Sequence, residues 1–159
     1  QGAVHIADSL EFRGSWMGAL LAAAGRTEEA EELFRGQLEF SQGRLTELDA
    51  SEQLARFPAR ARVLIDIAQA QSGLGMFDEA VESAEAAMAA LPVAVDAMDG
   101  PDVMYDAAAV LVASGRLDRA MEVLVAFFDG PGEQSFAYLE MDPAFEALRD
   151  HPGYPGLGG

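Results

Sequence analysis

Apolar residues recur along much of this chain at spacings of three and four, the pattern of helices that bury one stripe. Leu64, Ile67, Ala68 and Gln71 form one such run, Met104, Ala107, Ala108 and Leu111 another, and each is followed by a glycine. Beyond the glycine the helical spacing resumes, in Ala80, Ala84, Ala87 and Met88 and again in Ala120, Leu124, Phe127 and Phe128. The junctions share one phrase: Gly25-Arg26-Thr27-Glu28-Glu29-Ala30, Gly75-Met76-Phe77-Asp78-Glu79-Ala80 and Gly115-Arg116-Leu117-Asp118-Arg119-Ala120. The glycine supplies the left-handed backbone that ends one helix, and the acidic residues just beyond it suit the positive end of the next helix dipole. The predicted unit is a helical hairpin occurring three times. Small residues at Gly18, Ala68 and Ala108, and at Ala30, Ala80 and Ala120, let the paired helices approach where they cross.

This phrase resembles the tetratricopeptide repeat, whose period is 34 residues and whose pattern places small residues at the crossing and Pro at the end of the second helix. Aligned on the three glycines, the resemblance implies units over 11–44, 61–94 and 101–134, with Phe77, Ala80 and Pro92 in place in the second. The bulky aromatic usual near the start of the first helix is replaced by Gly14, Leu64 and Met104, and the terminal Pro by Gln42 and Gly132 in the outer units. The glycine intervals of 50 and 40 residues exceed the period, so helices or loops are lengthened between units. The first excess falls on Leu45 to Arg60, around Phe57-Pro58. The second falls on Val95 to Gly100, where Asp99-Gly100-Pro101 reads as a turn with Pro at the first helical position. Asp142-Pro143-Ala144-Phe145 through Tyr154 is similar to the ending that closes repeat arrays in multidomain bacterial signalling proteins such as serine/threonine kinases, nucleotide cyclases and winged-helix activators. There Asp142 caps a short helix, Pro143 takes its first position, and Phe145 with Leu148 covers the last hairpin. The expected architecture is an all-α, short right-handed solenoid of about three hairpins in one domain over 1–154. A capping helix is expected at about 142–150 and a flexible tail over 155–159.

Composition narrows the partners. Ten basic and 27 acidic residues give a formal net charge of −17 in 159 residues, every basic residue but the two histidines is Arg, and Lys, Asn and Cys are absent. Phosphate-rich partners need clustered cations, so nucleic acid is disfavoured, and an anionic membrane surface equally. Disulfides, Cys-ligated zinc and thiol nucleophiles are excluded. The longest apolar runs fall far short of a membrane span. Gln1 is no initiator, and the chain reads as a processed product or a fragment of something longer. The missing cysteines do not fix the compartment, which stays open; a soluble bacterial protein is expected, the cytoplasm slightly favoured over the periplasm.

Members of the repeat family line a concave groove with the outward side of each first helix. Carried onto this chain, those positions are Phe12, Ser15, Trp16 and Ala19; Arg62, Ile65, Asp66 and Gln69; and Asp102, Tyr105, Asp106 and Ala109. From Val63 to Gly115 there are nine acids and no basic residue, a one-signed field that steers cationic partners. The expected function is therefore a non-catalytic protein-interaction module holding a basic and apolar peptide or partner helix. Trp16, Ile65 and Tyr105 are the expected apolar anchors, Asp66, Asp102 and Asp106 the countercharges, Gln69 a hydrogen-bonding group and Arg62 a further contact. Trp16 also reads as a core residue or one packed against the N-terminal segment, and the carboxylates as a solvated helix face. The Lys-and-Asn clamp with which some relatives hold a terminal carboxylate has no counterpart here. A small-molecule sensor and a self-associating module, the latter through an uncovered end of the array, remain alternative readings. His5 and His151 belong to no metal-ligand spacing, and the Asp96 to Asp106 acids do not match a calcium loop. No nucleophile-base arrangement, phosphate cradle or cofactor motif is present, so neither an enzyme nor a cofactor is expected.

Overall fold

The computed structural model describes residues 14–50, 57–92, 96, 98–130 and 136–158; Phe12, the first residues of the first unit and the last residues of the other two lie outside these. Among these residues seven α-helices follow in order: α1 Gly14–Ala23, α2 Thr27–Ala50, α3 Phe57–Gly73, α4 Phe77–Ala90, α5 Asp99–Ala113, α6 Leu117–Phe128 and α7 Phe136–Met141. Two 3-10 turns, Pro143–Leu148 and Tyr154–Gly158, close the described chain. Helices α1 and α2, α3 and α4, and α5 and α6 pair as hairpins, and the first helices pack in a row, α1 on α3 and α3 on α5. The result is an all-α repeat solenoid.

The three junctions have one geometry. Gly25, Gly75 and Gly115 sit at φ of 76°, 75° and 72°. Each turn carries the same pair of backbone bonds: Gly25 N–H to Ala22 and Arg26 N–H to Leu21, Gly75 to Ser72 and Met76 to Gln71, Gly115 to Val112 and Arg116 to Leu111. These are Schellman closures, and the residue after each glycine immediately begins the next helix by accepting from Ala30, Ala80 or Ala120. One residue thus serves as the end of one helix and the cap of the next. The crossings behave as their small side chains require: Ala30, Ala68, Ala80, Ala108 and Ala120 are all buried. At the first crossing the Phe34 ring is held between two glycines, because a Cβ at Gly18 or at Gly73 would lie 2.6 or 2.5 Å from it.

Among the described residues, part of the longer first interval is taken up by helix. α2 continues for 24 residues to Ala50, and its extra turns bring Leu45 and Leu48 onto Val63 and Ile67 of α3. The second interval resolves differently from a turn with Pro at the first helical position. Helix α5 already begins at Asp99, so Pro101 stands third in it, where its missing N–H is still one of the helix's unpaired donors. Asp96 makes the start, its carboxylate accepting from the backbone N–H of Met98 and of Asp99, both at 2.9 Å.

At the end of the array, Asp142 accepts from Ala144 N–H at 2.9 Å and Pro143 takes the first position of a 3-10 turn rather than an α-helix. Phe145 and Leu148 are buried against α5 and α6, together with Tyr154 and Leu157. Residues 154–158 form the second 3-10 turn with Leu157 buried, so the segment read as a flexible tail contributes to the terminal core through this residue.

Candidate functional site

Helices α3 and α5 bring the expected polar groups onto one seam. Arg62, on the second turn of α3, donates to the Asp99 carboxylate at the start of α5 and lies 4.0 Å from Asp102. The Asp99 hydrogen bond holds the guanidinium more firmly protonated, with Asp102 and Asp106 adding to the field. One turn further along α5, the partly buried Asp106 carboxyl is pushed up to about 6, first by desolvation and then by the negative charge of Asp102; Arg62 partly offsets this and Asp142 adds to it. Asp96 moves the other way, held low by the backbone N–H of Asp99 and then of Met98. Arg62 is thus committed to Asp99, and the next turn of the surface keeps an excess of negative charge.

Tyr105 connects this seam to the end of the array. Its hydroxyl donates to Asp142 Oδ2 at 2.8 Å, while Asp142 Oδ1 accepts from Ala144 N–H. Burial and then that bond raise the tyrosine's pKa, so it stays a donor. Its ring packs at 4.9 Å from Phe145, 5.6 Å from Phe127 and 6.0 Å from Tyr138.

The eight expected site residues therefore separate. Arg62, Asp102, Tyr105 and Asp106 converge at the α3–α5 seam. Asp66 and Gln69 follow on α3, both half-buried, and the Asp66 carbonyl accepts from Gln37 of α2 at 3.4 Å. Trp16 is 62% exposed on α1, which settles it as a surface residue rather than a core one. Ile65 corrects the expectation of an apolar anchor: at 4% exposure it packs with Ala61, Leu64 and Ala68 between α4 and α5. Tyr105 is corrected in part, since its hydroxyl and ring are engaged by Asp142 and the terminal aromatic residues.

Residues missed by sequence reasoning are Asp99 as the partner of Arg62, Asp142 as the partner of Tyr105, and Tyr138 and Met141 as exposed apolar groups of α7. A signal for the polar pairs exists. Arg62 with Asp99, Tyr105 with Asp142, Asp78 with Arg116, Glu85 with Arg119 and Asp118 with His151 are all separated by 33 to 38 residues, about one repeat. A comparison at one 34-residue period pairs only Glu85 with Arg119; the other partners lie one to four residues off that register, so the signal is a window and not a position. The latter three pairs link the second helices to one another and to the cap, with Arg119 bidentate on Glu85 at 2.7 and 3.0 Å. Among the described residues no group of three or more His, Asp or Glu side chains is placed to hold a metal ion, and no helix is long and apolar enough to cross a membrane.

The sequence model of the tetratricopeptide repeat matches residues 14–35 and 101–126, the first hairpin turn and the third. These matches support the tetratricopeptide repeat family for the chain, in agreement with the helical solenoid. Repeats of this type generally mediate protein–protein interaction and are typically scaffolds without catalysis, which points to a protein as the partner. No curated protein and no solved structure matches the chain.

Proposed function

We propose that the chain is a non-catalytic protein-interaction module whose row of first helices holds a basic and apolar segment of a partner protein. The observation that carries this reading is the electrostatic imbalance at the α3–α5 seam. Asp106 is kept partly buried beside Asp102 and within the field of Asp142, while the neighbouring cation Arg62 is tied to Asp99. A carboxylate held in this way costs stability at neutral pH, and a cationic side chain from a partner relieves the cost on arrival. Asp66 and Gln69 extend the polar surface along α3, and the exposed indole of Trp16 offers an aromatic contact further along the row, on α1. The acidic field adds to the rate of encounter as well as to affinity.

Capture from the source lysate tests the reading, with the wild-type chain beside the Asp102→Asn, Asp106→Asn double variant at low and moderate salt. A specific protein retained by wild type, released as salt rises and missing from the variant is the expected result. A partner held equally by both baits overturns the electrostatic part. Absence of any specific protein overturns the module itself.

A further inference from the structure

The apolar half of a basic and apolar recognition site is not where the first-helix positions place it, because Ile65 is core and Tyr105 is engaged. The terminal helix α7 supplies exposed apolar surface instead. Tyr138 is 66% exposed and Met141 80%, yet they border the best-packed aromatic region of the molecule. Tyr138 lies against the Tyr105 ring at 6.0 Å, and Met141 immediately precedes Asp142, which Tyr105 grips. The same Tyr105 and Asp142 lie within the electrostatic reach of Asp106. Tyr105 thus connects the exposed apolar side of α7 to the acidic seam, touching Tyr138 and Asp142 and standing next to Asp106 on α5.

We propose that Tyr138 and Met141 form the apolar docking ledge for a partner segment in which an Arg or Lys stands next to a large apolar side chain, the cation reaching Asp102 and Asp106. This rests on the function proposed above and assigns its apolar contact to α7. Charge complementarity selects the occupant. Acidic groups near the ledge are Asp102 and Asp106 on α5 and Asp142 beside Met141; of the neighbouring cations, Arg62 is committed to Asp99 and Arg149 donates to the Glu140 carbonyl of α7 at 2.9 Å. A purely apolar occupant would leave those carboxylates desolvated and unpaired, and an acidic one would be repelled. A cationic occupant gains twice, from the carboxylates and from the exposed face of the Tyr138 ring. The thioether of Met141 is flexible and suits apolar side chains of varied shape.

The test uses the full chain and three short fluorescein-labelled peptides: Arg alternating with Leu, Arg alternating with Gly, and Glu alternating with Leu. Anisotropy titrations compare wild type with Tyr138→Ser, Met141→Gln, Phe40→Ser and the Asp102→Asn, Asp106→Asn double variant, each shown by circular dichroism to be folded; Phe40 is an exposed apolar residue of α2, a second helix outside the proposed surface. The expected result is that the Arg-Leu peptide binds wild type best, and that Tyr138→Ser and Met141→Gln each weaken it about fivefold or more while Phe40→Ser does not. Loss of binding in the Asp double variant with both α7 variants unaffected overturns the ledge and leaves the proposed function standing. Equal binding of the Arg-Leu and Arg-Gly peptides to wild type also overturns it. If no basic peptide binds wild type, the ledge and the charge-based reading fall together. Met141→Gln keeps the test meaningful should Tyr138→Ser disturb the Tyr105 packing, because Met141 is nearly free of the core.

Discussion

Replacing Asp106 by Asn keeps the shape of the side chain and removes the charge that the α3–α5 seam accommodates poorly. The carboxyl rises from 3.8 in the unfolded chain to about 6 in the fold, with desolvation as the leading cause and Asp102 as the next. Because the folded value is the higher one, the contribution of this group to stability is fully present below the unfolded value. It is lost as pH rises through about 6. Two pH units correspond to about 3 kcal/mol at neutral pH, and partial water access reduces the realised figure to about 1–3 kcal/mol. Asp106→Asn should therefore be more stable than wild type by that amount near neutral pH and nearly equal to it at about pH 4. Asp96 works in the opposite direction, since its lowered value gives stability that is lost on acidification, but it is common to both proteins and cancels in the difference. Urea unfolding followed by far-ultraviolet circular dichroism across this pH range measures the difference directly. A difference that does not change with pH, or an Asn variant less stable at neutral pH, would refute the account of the seam. A stabilised variant that binds its partner more weakly is the signature expected of a carboxylate retained for binding at a cost in stability.

Other substitutions probe the frame that holds the seam. Gly18→Ala places a methyl group against the Phe34 ring, which Gly73 blocks from behind, so a loss of about 1–3 kcal/mol in urea unfolding is expected. Gly75→Ala has open space for its Cβ but must adopt φ of 75°, and about 1–2 kcal/mol of destabilisation should follow from backbone strain alone. Asp142→Ala removes both the cap on Ala144 N–H and the acceptor for Tyr105; a loss of about 1–3 kcal/mol is expected, with faster amide exchange in residues 144–148 than in α3. Arg119→Ala, by contrast, breaks an exposed pair with Glu85 and should cost no more than about 1 kcal/mol.

Much of the fold is legible in the sequence because its turns permit few alternatives. Only glycine takes the left-handed position without strain, so Gly25, Gly75 and Gly115 mark three hairpins, and the alanines five residues on mark where the helices cross. Asp142-Pro143 is legible for the same local reason, as a side-chain cap followed by a residue that needs no hydrogen bond to its nitrogen. The length of α2 is less so, since Leu45 and Leu48 have helical spacing in sequence but gain their value only from Val63 and Ile67 of the next hairpin.

The site is less legible in the sequence than the fold. On α3, Val63, Leu64, Ile65, Ile67 and Ala68 surround most of the helix, and periodicity does not say which side faces the groove when nearly every side is apolar. The repeat pattern therefore places Ile65 on the groove surface, whereas it belongs to the core. Tyr105 carried the right residue type for an anchor, but its engagement depends on Asp142, 37 residues away. Arg62, Asp102 and Asp106 do converge, because each lies on the polar margin of a helix whose opposite side is fixed by buried alanines. The exposed pair Tyr138 and Met141 lies beyond the three aligned units, where the repeat pattern gives no positions to read.

The most direct test of the interaction surface is amide chemical-shift mapping of the full chain titrated with its captured partner, or with the Arg-Leu peptide. The account predicts perturbations concentrated at Arg62, Asp102 and Asp106 and extending to Tyr138 and Met141, fading as salt is raised. Perturbations centred on Glu85 and Arg119, on the second helices, would contradict it.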